Sequence, residues 1–425
     1  MPLLSHHAAR CAILLAAVVG SVSANDAPVE KTPEQMLSEL LTTHRSELTL
    51  AADGLGGAGA KALLDRARGA QFILIGEDHG FAEVPEFVLA LRRSLGRDTP
   101  QNLVLEIGPY SAQRAAVAAR EGSLSALSRD YPAAMPFLNL QEDGAMASAW
   151  QHGERRERLW GLDQEFLFSG RLILERLQAL ATTSAAKKAV ADALSRNALA
   201  DKQAMAEHDT APTLLLQWHD ADFAQLRAAV KPSPGSEAAR LINELDESAQ
   251  IYRGQQTDGY ASNNQRALLM KRHFMDYYRA AQKAGEILPR ALFRFGANHM
   301  IRGISPTNLF DLGSFASEFA ASNGRTSLHV LVLVGGGSAN RWLPFVADAS
   351  LKTQPYDARA EMGDFGVMPF IEHATRSGWT VFDVDPLRRQ RKARQSAGAA
   401  FEKIVFGFDY VVVVAQGRAA KDYAD

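Results

Sequence analysis

A buried strand that leads directly into a histidine-bearing turn constrains this chain more than any other feature. Residues 72–83 read Phe-Ile-Leu-Ile-Gly-Glu-Asp-His-Gly-Phe-Ala-Glu, and the turn Gly76-Glu-Asp-His79 follows four apolar residues. An uninterrupted apolar run is typical of a strand that is buried on both faces. A second unit, Ala291-Leu-Phe-Arg-Phe-Gly-Ala-Asn-His299, comes late in the chain. Two strand–Gly-x-x-His units predict a site that is built from two similar halves.

The order of apolar segments predicts the fold class. An amphipathic helix over 85–95 separates strand patterns at 71–75 and 102–109, which together indicate a βαβ unit. Further strands are predicted at 158–163, 291–295, 326–334, 378–383 and 409–415. The span 166–284 reads as a helical insertion between the two histidine units. We therefore predict a mixed α/β fold with a largely parallel central sheet flanked by helices.

The first 24 residues are typical of a signal peptide. A weakly basic start is followed by the apolar run Cys11-Ala-Ile-Leu-Leu-Ala-Ala-Val-Val-Gly-Ser-Val22 and by small residues up to Ala24. The run is too short for a comfortable membrane span. We predict cleavage near Ala24, a periplasmic or secreted protein, and no integral membrane domain after cleavage. An uncleaved N-terminal anchor is the alternative.

The remaining chain is predicted to be one α/β domain over 71–425, preceded by a helical lead-in and linker over 25–70. The segment Gly54-Leu-Gly-Gly-Ala-Gly59 fits the dinucleotide-binding pattern G-x-G-x-x-G. That pattern requires a buried strand directly before it, and none is predicted there. We therefore interpret these glycines as a flexible linker.

Charge and cysteine usage exclude several classes of function. The net charge is −2, which gives no reason to expect nucleic acid as a partner. The only cysteine, Cys11, lies inside the predicted signal peptide. The mature chain would therefore contain no disulfide, no cysteine nucleophile and no cysteine-ligated metal.

Polar residues of catalytic type follow or end four of the predicted strands. Glu77 and His79 follow the first strand and Glu106 lies in the second, while Asp163 and His299 follow later ones. The carboxyl ends of parallel strands meet at one edge of a sheet, where ligands gather. Histidine serves there in proton transfer or in metal ligation. A single Gly-x-x-His is also compatible with a purely structural turn, and Asp163 with a helix cap.

Other signatures narrow the chemistry further. The sequence contains no Gly-x-Ser-x-Gly elbow and no His-Glu-x-x-His helix. Histidine and carboxylate chemistry on water, with or without a metal, remains. Arg266, Arg294 and Arg302 are candidates to hold an oxyanion, although Arg266 is equally compatible with a solvated helix face.

Five short motifs together carry a family resemblance: Ile75-Gly-Glu-Asp-His-Gly80, Leu103-Val-Leu-Glu-Ile-Gly108, Gly161-Leu-Asp163, Asn264-Gln-Arg266 and Gly296-Ala-Asn-His299. They resemble motifs of the superfamily that contains the erythromycin esterases, the ChaN haem-binding lipoproteins and the TraB/Tiki/GumN proteins. The first motif is similar to the ChaN turn and is one residue shorter than that of the esterases. The last is similar to the TraB/GumN motif.

The resemblance implies a hydrolase that uses the paired histidines and a glutamate to activate water on an ester or amide bond. Together with the predicted signal peptide, it leads us to expect an exported hydrolase. Carried over, the catalytic set is His79, Glu106, His299, Glu77 and Arg266. In the esterases such residues act without a metal, whereas Tiki proteins use similar positions in a metal-dependent peptidase. A metal here would be held by His79, His299, Glu106 and Asp163.

The cofactor remains unidentified by the sequence, with a divalent metal ion ranked before haem. The expected partner is a small-molecule or peptide substrate. The alternative function is a ChaN-like protein that binds haem or iron without catalysis.

Overall fold

The computed structural model describes residues 30–341 and 349–423, so the predicted signal peptide lies outside the described residues. The described strands are β1 (Arg45–Ala51), β2 (Gly54–Gly56), β3 (Ala70–Glu77), β4 (Asn102–Leu105), β5 (Leu159–Gly161), β6 (Ala291–Gly296), β7 (Thr326–Val334), β8 (Gly336–Asn340), β9 (Thr353–Asp357), β10 (Trp379–Asp383) and β11 (Tyr410–Val414).

The described α-helices are α1 (Pro33–Thr43), α2 (Ala60–Gly69), α3 (Glu83–Leu95), α4 (Pro109–Glu121), α5 (Leu124–Asp130), α6 (Gln141–Gln151), α7 (Gly170–Leu180), α8 (Ser184–Glu207), α9 (Leu214–Gln217), α10 (Asp220–Val230), α11 (Glu237–Gln255), α12 (Gly259–Lys283), α13 (Ala297–Met300), α14 (Leu312–Ser322), α15 (Ala349–Lys352), α16 (Ala358–Met362), α17 (Met368–His373), α18 (Asp385–Arg389), α19 (Arg391–Ser396) and α20 (Gly398–Gly407).

The described strands form a central sheet in the order β2-β1-β10-β11-β7-β3-β6-β4-β5 and a separate pair, β8-β9. The run from β11 to β5 is parallel throughout. The edge strands β10, β1 and β2 pair antiparallel. The predicted mixed α/β class with a largely parallel sheet is confirmed. Strands β3 and β6, which precede the two histidines, are direct neighbours.

The apolar runs are explained by cover on both faces of the sheet. All eight residues of β3 are buried. Ile73 and Ile75 pack in one hydrophobic core, and Phe72 and Leu74 pack in the other. Successive side chains of a strand point to opposite faces, so a strand with two cores needs apolar residues at every position.

The linker interpretation of the glycine-rich segment is wrong. Residues 54–56 form β2, which pairs with β1, and β1 in turn pairs with β10 of the central sheet. Gly54 and Gly57 have φ angles of +141° and +84°, and a side chain at Gly57 would approach the Glu47 carbonyl oxygen within 2.6 Å. These glycines permit a tight hairpin. A tight hairpin and a flexible linker are both rich in glycine, so composition does not distinguish them.

The span 166–284 contains only the helices α7 to α12. The chain leaves the sheet after β5 and returns at β6, which lies between β3 and β4 in the sheet order. Helix α12 is the last helix before β6, the strand of the second histidine unit. Across the described residues, no helix combines the length and apolar character needed to cross a membrane.

Candidate active site

The predicted polar residues meet at one edge of the parallel sheet. Glu77 ends β3, Glu106 follows β4, Asp163 follows β5, and His299 lies in α13 directly after β6. These four strands are neighbours that run in the same direction. Their carboxyl ends are therefore side by side, as expected for a ligand site in an α/β sheet.

His79 is held by the last residue of its own strand. Its Nδ1 lies 2.7 Å from Oε1 of Glu77, whose side chain is fully buried. Its Nε2 lies 3.6 Å from Oε2 of Glu106. The ring stacks on Phe137 with a centroid distance of 4.4 Å. The His79 side chain is 35% exposed, so its free edge is accessible from the site.

His299 has the same arrangement with a different carboxylate. Its Nδ1 lies 2.9 Å from Oδ2 of Asp311, and its Nε2 lies 3.4 Å from Oε1 of Glu106. The other oxygen of Asp311 accepts the backbone N–H of Leu312 and so caps α14. Asp311 is not among the residues predicted from the sequence. An aspartate directly before an apolar helical pattern is a cap signal, and it could have directed attention to this residue.

Glu106 lies between the two histidines. Oε2 accepts the backbone N–H of Gly296 at 2.7 Å, and Oε1 accepts a hydrogen bond from Nη2 of Arg266 at 3.0 Å. Arg266 also donates from Nε to Oδ1 of Asp163 at 2.8 Å. Burial opposes ionisation of Glu106, but the charges of His299, His79 and Arg266 lower its pKa to about 2. Glu106 is therefore an anion at neutral pH.

The neighbouring carboxylates raise the pKa of both histidines. Burial lowers the pKa of His79, but the hydrogen bond to Glu77 and the charge of Glu106 outweigh it and raise the pKa. Burial and Arg266 lower the pKa of His299, and Asp311 and Glu106 reverse this into a net rise. Each imidazole is thus a stronger base than free histidine and can exchange a proton near neutral pH.

The residues border a cavity of about 620 Å³. Its polar side carries Glu77, His79, Glu106, Arg266 and His299. The remaining wall is largely apolar and includes Ile301, Leu331, Leu333, Met362, Phe365, Val367, Ile404 and Phe408. A cavity with one reactive polar edge and an apolar wall fits a small organic molecule.

The residues proposed as metal ligands do not fit a metal ion in this geometry. Both oxygens of Asp163 contact the guanidinium of Arg266, and the same group contacts Glu106. A cation already occupies the place where these two carboxylates approach each other. Within residues 30–341 and 349–423, no set of three or more His, Asp and Glu side chains is arranged to hold a metal.

Two of the three candidate arginines do not border the cavity. Arg302 pairs with Asp409, and Arg294 is buried against Glu77 and Asp143. Two neighbours of this cluster, Asp143 in α6 and Phe137, are not among the residues predicted from the sequence. Neither residue has a motif or a strand end beside it, so no sequence signal connects it to the histidines.

Gly296 is expected to be essential to the site, because its Cα faces both His79 and Glu106. A Cβ at this position would lie 3.0 Å from Nε2 of His79 and 3.5 Å from Oε2 of Glu106. The backbone angles, φ −53° and ψ 142°, are accessible to alanine. We expect Gly296→Ala to lower kcat/KM of any reaction catalysed at this site by about 100-fold, because small displacements of reacting groups are that costly.

The matched control is Gly69→Ala, where a Cβ would meet no atom within 4 Å. Steady-state kinetics and thermal unfolding of both variants are the measurements. Full activity of Gly296→Ala would show that the space beside His79 is not used.

Comparison with known structures supports the fold. No family model and no curated protein matches the sequence. A Bacillus cereus protein aligns with a TM-score of 0.53 at 12% identity, covering 91% of this chain and 98% of its own. A succinoglycan biosynthesis protein gives 0.55 at 11%, covering 91% and 98%. A mutant of the erythromycin esterase EreC in its open conformation gives 0.53 at 14%, covering 86% and 95%.

The chain therefore has an erythromycin esterase-like fold. The predicted resemblance to the esterases is supported at this level. The resemblance to the ChaN and TraB/Tiki/GumN proteins stays a prediction.

Proposed function

We propose that this protein is a hydrolase that uses His79 to activate water for attack on an ester or amide bond. One observation carries the proposal. Two histidines, each anchored at Nδ1 by a buried carboxylate, direct their Nε2 atoms to the same glutamate at the edge of an organic-sized cavity. The fold shared with an erythromycin esterase supports the same class of reaction.

The contacts suggest a division of roles. With its Nδ1–H directed to Glu77, His79 presents an unprotonated Nε2 that removes a proton from water. His299, held by Asp311, donates a proton to the leaving group. Arg266 lines the cavity and stabilises negative charge on the carbonyl oxygen as the tetrahedral intermediate forms. Glu106 is ionised and keeps both imidazoles oriented.

The pH profile of ester hydrolysis tests the proposal. A base must be neutral to act, and the pKa of His79 is raised above its ordinary value of 6.5. We therefore expect kcat/KM to fall about tenfold per pH unit below the raised pKa of His79, and to fall again at alkaline pH, where His299 loses the proton that it donates. The measurement is hydrolysis of p-nitrophenyl esters of several chain lengths by the purified protein, with and without EDTA.

Absence of hydrolysis across these esters and across lactone and amide substrates would contradict the proposal.

Export through residues 1–24 is proposed together with the hydrolase activity, and N-terminal sequencing of the secreted protein tests the cleavage near Ala24. Binding of haem or iron stays a prediction, which a visible absorbance titration with haem would test.

A further inference from the structure

We propose that Asp143 and Arg294 are positioning residues that act on His79 through Glu77. The inference rests on the proposed function, in which His79 activates water. It extends that function to two side chains that do not border the cavity. They form a buried chain of contacts in the order Asp143, Arg294, Glu77 and His79.

The first step is the bidentate ion pair between Arg294 and Glu77. Nε of Arg294 donates to Oε2 of Glu77 at 2.8 Å, and Nη2 lies 2.6 Å from Oε1. Both side chains are almost completely removed from solvent. A guanidinium that contacts both oxygens of a carboxylate fixes the plane of the carboxylate as well as its position.

The second step is the transfer of that orientation to the imidazole. Oε1 of Glu77 contacts both Arg294 and Nδ1 of His79. A carboxylate held in one plane fixes the ring orientation and the tautomer with the proton on Nδ1. The lone pair on Nε2 is then directed toward the cavity, where a base needs it.

The third step is the contact that holds Arg294 itself. Nη1 of Arg294 lies 2.5 Å from Oδ1 of Asp143, whose side chain is 1% exposed. Asp143 therefore forms an ion pair with the end of the guanidinium that does not contact Glu77, although within the described residues neither of its oxygens accepts a hydrogen bond. It also adds a negative charge that offsets the buried cation beside His79.

Phe137 contacts the same group of residues from another direction. Its ring stacks on His79, and the guanidinium carbon of Arg294 lies 5.4 Å from the ring centroid. The φ angle of Phe137 is +69°, which is rare for a bulky residue. This backbone conformation brings one aromatic ring against both the proposed base and its supporting arginine.

A purely structural reading of Asp143 makes a different prediction. Buried ion pairs also occur without any role in catalysis. The charged groups around His79 are Glu77 and Asp78 on its own segment, Glu106 after β4 and Arg294 on β6. Asp143 contacts Arg294, and its charge also acts directly on His79, so removal of this charge makes the His79 imidazolium less favourable.

The test is the conservative variant Asp143→Asn, which keeps the shape of the side chain and removes its charge. We expect kcat for p-nitrophenyl esters to fall about tenfold and KM to stay within about twofold, since Asp143 makes no contact in the cavity. The acid limb of the kcat/KM profile is expected to move to lower pH by less than about one unit, because Asp143, whose pKa burial raises to about 7, is only partly ionised over that range.

The matched control is Asp246→Asn, which alters another buried aspartate paired with an arginine. Asp246 lies in α11 and pairs with Arg227 at 2.7 Å, away from the cavity residues. A purely structural role predicts a loss of stability in both variants and no change in either pH profile. Equal kcat and an unmoved acid limb in Asp143→Asn would overturn the positioning role.

A second readout needs no substrate. The His79 Cε1–H resonance, identified with His79→Gln, is followed by NMR as a function of pH in the wild type and in Asp143→Asn. An unchanged His79 titration would overturn the inference whether or not the protein hydrolyses esters. If the His79 titration differs between the wild type and Asp143→Asn but the wild type hydrolyses no substrate, the proposed function alone would be overturned.

Discussion

His79→Ala is expected to lower kcat/KM for ester hydrolysis by about 10²–10⁴-fold, the range for loss of a positioned general base. The variant removes the imidazole whose Nδ1 contacts Glu77 and whose Nε2 faces Glu106. The KM is expected to change little, because in the proposed mechanism His79 acts on water and not on the bound substrate. Steady-state kinetics over the pH range of the wild-type profile is the measurement.

Two features separate this result from a loss of folding. The His79 side chain is 35% exposed, so its truncation leaves no closed cavity in the core, and we expect the thermal unfolding midpoint to change little. The matched control is His152→Ala, which alters an exposed histidine at the end of α6. Wild-type turnover in His79→Ala would remove this residue from the mechanism and leave His299 as the candidate base.

Arg294→Met is expected to lower the free energy of unfolding by about 3–5 kcal/mol, the usual cost of breaking a buried ion pair. The substitution leaves the carboxylates of Glu77 and Asp143 without their shared cation in a buried site. Methionine fills much of the same volume, so the loss reflects charge more than packing. Urea unfolding at several pH values is the measurement.

The sign of the pH dependence follows from Asp143. Burial raises its pKa to about 7, against the opposing effect of Arg294. Without Arg294 the pKa of Asp143 rises further. In the folded variant the Asp143 carboxyl group is therefore neutral below that higher pKa and charged only above it. The deficit in stability is therefore expected to be larger at pH 8 than at pH 5, where Asp143 is protonated.

The exposed arginine Arg359 provides the control. It pairs with Glu372, and both side chains are about half exposed or more. Exposed ion pairs contribute about 0–1 kcal/mol, so Arg359→Met should change stability little. Equal effects of the two substitutions would show that the Arg294 cluster does not contribute as a buried ion pair.

The prediction of the fold succeeded where local pattern and burial agree. The apolar runs of β3, β7 and β11 have both faces covered, and such strands carry a continuous signal. The prediction failed at residues 54–59, because glycine serves both tight hairpins and flexible linkers. Only pairing with β1 distinguishes these two uses.

The site residues that could be predicted from the sequence are mainly those at the carboxyl ends of strands. Glu77, Glu106 and His299 each adjoin the carboxyl end of a parallel strand, and parallel strands end at one edge. Arg266 came from a helical motif, and its contact with Glu106 joins residues 160 positions apart. Asp311, Asp143 and Phe137 were missed because their roles come from tertiary contacts with distant segments.

The sequence by itself determined the class of fold, the two histidine units and the glutamate between them, because buried strands and Gly-x-x-His turns are local patterns. Only the tertiary structure decided which of these groups contact one another. It placed the Arg266 cation between Glu106 and Asp163, two of the residues predicted as metal ligands. It also gave each histidine its own carboxylate. The physical reason is that the pKa and orientation of a buried group depend on neighbours within a few ångströms, and the sheet order, not the chain order, brings those neighbours together.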